Sequence, residues 1–156
     1  MREDYKGNFM VDFQYAKGRI EESIDFISNE IEEFEKDYAA KDWKEYKQDN
    51  KLQKLIDRTV ENILTALIET SGTILVEEGI SGHSYAQILK EVGQLFRFTE
   101  KEQEELSRLA VQRNRLAHRY LNYRWQAIKT YKNSAPLIKR LLIAVIEREK
   151  KKENIQ

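Results

Sequence analysis

The chain carries two histidines and no cysteine. One of the histidines sits in the run Gln112-Arg113-Asn114-Arg115-Leu116-Ala117-His118-Arg119-Tyr120. Histidine can give or take a proton near neutrality, its ordinary pKa being about 6.5. Arginine keeps its proton, and its fork matches phosphate oxygens two at a time. Together they suit phosphodiester cleavage in RNA without a metal. In that reaction the 2′-hydroxyl loses a proton, the 5′-oxygen gains one, and the charge of the pentacoordinate phosphorane has to be neutralised. A metal nuclease would show clustered carboxylates, whereas the acids that flank this segment are Glu105 and Glu147, outside it. With so few imidazoles and no thiols, neither a transition-metal site nor another cofactor is expected.

Periodicity places the run on a helix that the spacing extends from Glu100 to about Tyr123. With Arg113 set at zero, Leu106, Leu109, Ala110, Leu116, Ala117 and Tyr120 fall within about 60° of it, so Arg113 occupies a core-like position and needs a partner, a wet cleft or an interface. His118 falls about 140° away, in a stripe with Ser107, Val111, Asn114, Leu121 and Trp125. Asn114, one turn earlier, can orient the imidazole or a ligand beside it. Arg108, Arg115 and Arg119 project another way. With Arg124 they are candidate RNA contacts, or else solvated charges or partners of acidic helices. Tyr120, Tyr123, Trp125 and Tyr131 can stack bases or pack in a core or interface. His83, in a Gly/Ser turn, is read as incidental.

Charge supports looking here. The 156 residues hold 27 basic and 27 acidic side chains, a net charge of zero. Residues 1–105 contain 24 acids and 14 bases, whereas residues 106–146 contain nine bases and no acid. A phosphate feels the local field within a Debye length of about 8 Å rather than the total. The charged fraction of 35% and hydrophobic fraction of 40% suit a single domain spanning 1–156 with a real core. Cysteine-free composition fits a reducing compartment. The first thirty residues lack a secretory pattern, and no apolar run approaches the roughly 18 residues needed to span a bilayer. A soluble, cytoplasmic protein is expected.

The elements that must position these residues read as helices nearly throughout. Ile20, Ile24, Ile27, Ile31, Phe34 and Tyr38 form one stripe, and a polar stretch over Lys41–Asn50 interrupts it. A run from Leu52 to Leu67, apolar on two sides, predicts a central helix that Gly79 and Gly82 stop. Ser84–Gln87 and Thr99–Glu102 have the spacing of capping boxes. Asn133-Ser134-Ala135-Pro136 predicts the start of a last helix, since proline is tolerated in a first turn, and a frayed tail follows from Lys150. The expected fold is all-α: an up-and-down bundle of about five helices, with two long antiparallel helices at its centre.

Arg113-x4-His118-x-Tyr120, with asparagine directly after the arginine, resembles the signature of the HEPN superfamily, and the wording Arg-Asn-Arg-Leu-Ala-His-Arg-Tyr resembles its HepT-like branch. Arg58-Thr59-Val60-Glu61-Asn62-Ile63-Leu64 and Ser84-Tyr85 support it, and the likeness covers roughly residues 19–124. The resemblance implies a homodimer of HEPN-like bundles whose motif helices meet in a cleft. It implies a metal-independent endoribonuclease toxin, acting on mRNA or tRNA and neutralised by an MNT-type nucleotidyltransferase. Carried over, Arg113 stabilises the phosphorane, His118 transfers protons, Asn114 positions one of them, and Tyr120 is structural or accepts a nucleotidyl group. Two other readings stay open: a helical partner of a nucleotidyltransferase without nuclease activity, and a bundle whose arginines only bind RNA or nucleotide.

Overall fold

The structure, a computed structural model, describes residues 19–82 and 84–155. His83 and the N-terminal residues 1–18 lie outside the described residues. The described residues form six α-helices and no strand: α1 (Ile20–Glu33), α2 (Trp43–Gln48), α3 (Asn50–Glu77), α4 (Tyr85–Leu95), α5 (Glu100–Arg115) and α6 (Leu121–Ile155). None of them is long and apolar enough to cross a membrane.

α1 buries Ile20, Ile24, Ile27 and Ile31, and a π-helical turn over Phe34–Tyr38 extends it with Phe34 in the core. The polar stretch after it contains a helix of its own. Asp42 and Glu45 close a complete capping box at its start, and Tyr46 is fully buried. Asp49 then caps α3 by accepting the N–H groups of Lys51 and Leu52. As its two-sided pattern predicts, α3 is central, burying Ile56, Val60, Ile63, Leu64, Leu67 and Ile68. It ends where Gly79 takes φ of 73° while Ile80 N–H reaches back to the Leu75 carbonyl, a geometry that costs a Cβ-bearing residue free energy. The Thr99–Glu102 box is complete. At Ser84 only half of the expected box forms: Ser84 Oγ accepts the Gln87 N–H, and the Gln87 side-chain amide donates to Glu91. α4 and α5 pack as a close hairpin at Gly93, where a Cβ would stand 3.0 Å from the Leu106 side chain.

Ion pairs give the helix directions. Arg124 meets Asp57 near the starts of α6 and α3, and Arg148 and Lys152 meet Glu77 near their ends, so the two longest helices run parallel. α5 is antiparallel to α6, with Arg115 beside Gln126 and Arg140 beside Glu102, and therefore antiparallel to α3 as well.

Three expected boundaries move. The motif helix stops at Arg115 rather than near Tyr123, and the chain reverses over residues 116–120. Conversely, Asn133–Pro136 starts nothing, because α6 runs through it. Proline in a helix interior costs about 3 kcal/mol. Here Ala127, Ile128, Tyr131 and Ser134 before it and Ile138, Leu141, Leu142 and Val145 after it form one continuous buried stripe. Breaking the helix would turn half of that stripe to water. Nor is the tail frayed from Lys150: α6 continues to Ile155, and Lys152 pairs with Glu77 and Glu149.

Burial alone would push the Glu77 carboxyl up, but hydrogen bonds and charge from Lys152 and Arg148 outweigh it and hold the group below its usual value. A carboxylate held low in the folded state stabilises the fold above its unfolded pKa and loses that stabilisation as pH falls through the folded one. Glu77→Gln should therefore cost about 1–2 kcal/mol near neutrality. Urea unfolding should show the gap to the parent chain closing below about pH 4.

Candidate active site

Arg113 lies in the last turn of α5, and its Nε donates to Thr65 Oγ1 on α3 at 3.1 Å. Its guanidinium carbon stands 5.9 Å from the ring centre of Tyr85, the first residue of α4. The side chain is half-buried, and among the described residues no carboxylate lies within ion-pair distance of it. One hydroxyl thus holds the inner nitrogen of the fork, while no carboxylate of the described residues neutralises the charge. This is how a guanidinium survives at a position that the apolar pattern assigns to the core.

His118 lies in the reversal, not on the helix, so the 140° separation drawn from helical spacing does not apply. Leu116 is buried and pins the turn, and the N–H groups of Ala117 and His118 close tight bonds onto the carbonyls of Asn114 and Arg115. Asn114 is exposed and meets the turn through its backbone. The Tyr120 N–H donates to His118 Nδ1 at 3.1 Å. The neutral imidazole consequently carries its proton on Nε2, the nitrogen left facing outward from this contact. Tyr120 and Tyr123 flank the ring, with centroids 4.8 and 4.7 Å from it, the Tyr123 contact being edge-on. Both tyrosines are exposed, at 53% and 44%. The sequence run of four aromatics therefore divides. Trp125 packs on Tyr46 and Trp43, and Tyr131 is buried against Phe34.

The arginines divide as well. Arg108 is exposed; Arg115 reaches Gln126; the Arg119 guanidinium lies over the Tyr120 ring, 5.1 Å from its centre, and donates to the Tyr120 hydroxyl at 3.3 Å. Arg124, grouped with them as a candidate RNA contact, instead turns inward. It pairs with Asp57 at 3.1 Å and donates to Gln53 at 3.3 Å, in a pocket where Tyr46 also donates to Asp57 at 2.7 Å. Burial pushes the Asp57 carboxyl up, opposed by the Tyr46 hydroxyl and the Arg124 charge. Burial likewise pushes the Tyr46 phenol up, reinforced by Asp57. Arg124 is thus held by the fold, the intrachain alternative for this residue.

Sequence reasoning gave no chemical part to Thr65 or Tyr85. The signal available for Thr65 was a hydroxyl interrupting the apolar run Ile63-Leu64-Thr65-Ala66-Leu67. Among the described residues no group of three His, Asp or Glu side chains is placed to hold a metal ion.

What gathers at this end of the bundle is an unneutralised guanidinium, an imidazole with one ring nitrogen capped and the other a donor, and exposed arginine and tyrosine side chains around them. Such a set can bind an anionic oxygen and deliver hydrogen bonds or a proton to it. The family model described as ribonuclease HepT-like matches residues 27–145. No curated protein matches the chain.

Arg124 and Arg119 should separate on mutation. Arg124→Ala strands a buried carboxylate and is expected to destabilise the fold by about 3 kcal/mol. Arg119→Ala, at an exposed site, should change stability by less than about 0.5 kcal/mol. Thermal or urea unfolding of the two variants checks this.

Proposed function

The chain belongs to the HepT-like ribonuclease family, and from that premise we propose that it is a metal-independent endoribonuclease, the toxin of a pair whose antitoxin is a small MNT-type nucleotidyltransferase. The observation that carries the reading is Arg113: a half-buried guanidinium, held by Thr65 with no carboxylate of the described residues within ion-pair distance, five residues before a histidine whose Nε2 is a donor.

The RNA 2′-oxygen attacks the adjacent phosphorus and the bond to the 5′-oxygen breaks, leaving a 2′,3′-cyclic phosphate and a free 5′-hydroxyl. The Arg113 fork takes the non-bridging oxygens, whose charge grows as the phosphorane forms. His118 serves the proton transfers. Once the Tyr120 amide lets go, Nδ1 takes the proton that leaves the 2′-hydroxyl, and the imidazolium so formed gives its Nε2 proton to the departing 5′-oxygen. Asn114 positions this turn through the carbonyl that closes it. Arg108, Arg115 and Arg119 contact phosphates beside the cleaved one.

The site is completed in a homodimer. Three of the large apolar side chains exposed on the surface, Val111, Tyr120 and Tyr123, belong to the segment around the motif, which supports a subunit contact there. The Tyr120 hydroxyl, exposed and beside Arg119, is the acceptor of the nucleotidyl group from the antitoxin. The adduct adds negative charge and bulk next to the phosphate site and so inhibits cleavage.

Arg113→Ala and His118→Ala should each lower cleavage of total RNA or tRNA, assayed in EDTA, by at least about a hundredfold while leaving the fold and the oligomer intact. Unchanged cleavage by either pure variant would sink the assignment, and a stable complex with the transferase from a chain that cleaves nothing would favour the non-catalytic partner instead. Incubation with the cognate transferase and ATP should add one nucleotidyl mass to the parent chain and none to Tyr120→Phe. Absence of that adduct from the parent chain would refute the role given to Tyr120.

A further inference from the structure

The N-terminal half of α3 belongs to the acidic part of the sequence, yet one of its faces is basic. At 100° per residue, Lys51, Lys54 and Arg58 lie within about 40° of Thr65, the residue that holds Arg113. All three cations are exposed, and among the described residues none has a carboxylate within ion-pair distance. The carboxylates around them are otherwise placed. Asp57, one residue before Arg58, is turned to Arg124, and Asp49 caps the helix. Glu61 shares the stripe between Arg58 and Thr65, half-buried.

The face is open for a topological reason. α4 begins at Tyr85 and α5 ends at Arg115, and both of these helix ends lie beside Arg113. Beyond that level neither helix continues along α3, and among the described residues nothing buries Lys51, Lys54 or Arg58. Leu55, 51% exposed, marks its edge. Along the helix axis Lys54 stands about 6 Å from Arg58, and Arg58 about 10.5 Å from Thr65. Unpaired cations repeat at intervals that lead to the guanidinium at the reaction centre.

We propose that this stripe of Lys51, Lys54 and Arg58 is a binding track for the sugar–phosphate backbone of single-stranded RNA, holding the substrate strand as it leaves the Arg113 site. The proposal rests on the ribonuclease reading for the identity of the strand's far end, but not for the track itself. A row of unpaired cations binds phosphates without reading bases, so its contribution is sequence-independent and steeply salt-dependent. It extends the site beyond the basic segment and makes affinity grow with RNA length, since short fragments reach Arg113 without reaching Lys51.

The test uses the full chain and a fluorescent 2′-O-methyl RNA, which lacks the attacking hydroxyl and stays intact whether or not the protein is a nuclease. For a strand of about 15 nucleotides, the Lys51→Gln/Lys54→Gln/Arg58→Gln variant should bind about tenfold more weakly, and its slope of log affinity on log salt should fall by about 2. Binding of a trinucleotide should be unchanged, as should the melting curve, because glutamine is as good a helix former as lysine. A Lys54→Arg variant should keep the parent affinity. Unchanged affinity and salt slope for the long strand would overturn the track and leave the stripe to an acidic protein partner, and so would an equal loss for the trinucleotide. Cleavage of ordinary RNA by the parent chain is scored separately, so failure of the ribonuclease reading and failure of the track give different results.

Discussion

Asp57 is buried in the bundle, and a buried carboxylate has to be compensated. Arg124 supplies the charge, Tyr46 a hydroxyl donor, and Gln53 takes the second arm of the guanidinium. These residues come from α2, α3 and α6, so a single electrostatic requirement fixes where the short polar helix docks and where the longest helix begins. The start of α6 then sets the length of chain left for the reversal after α5. His118 lies in that reversal, and its ring is oriented by the amide of the residue just before α6. A compensation deep in the fold thereby determines the placement of the imidazole at the surface.

The same partition of charge separates scaffold from site. The nine bases between residues 106 and 146 are not a uniform field. Arg124, Lys139 and Arg140 are taken up by Asp57, Glu35 and Glu102 from the acidic helices, and Lys132 by the Ala39 carbonyl. Arg108, Arg113, Arg115, Arg119 and Lys129 have no such carboxylate among the described residues. Four of these five lie between residues 108 and 119, at the end of α5 and in the reversal. Acidic helices thus consume the cations that are needed for packing and leave unpaired those that surround the candidate site.

Much of this was legible before the fold. The isoleucine stripe of α1, the two-sided apolar pattern of α3 and the Thr99–Glu102 box each encode their element locally, through period and end-capping, and each forms as expected. The reversal at residues 116–120 was not legible, since no glycine or proline marks it and Leu116, Ala117 and Tyr120 continue the helical period. Leu116 keeps its burial by pinning the turn instead. Pro136 misled in the opposite sense, being a strong local stop signal overridden by a buried stripe on both sides of it.

The sequence by itself determined the all-helical class, the concentration of positive charge in an acid-free segment late in the chain, and the presence there of an arginine, a histidine and a tyrosine at the spacing that resembles the HEPN signature. These are properties of composition and period, which act over a few residues and need no partner. Tertiary structure decided which cations are neutralised, because neutralisation depends on carboxylates tens of residues away: Arg124 is bound to Asp57, whereas Arg113, held by the Thr65 hydroxyl and beside the Tyr85 ring, meets no carboxylate among the described residues. It also decided the orientation of His118, since a ring in a turn is set by whichever backbone amide the next helix brings to it.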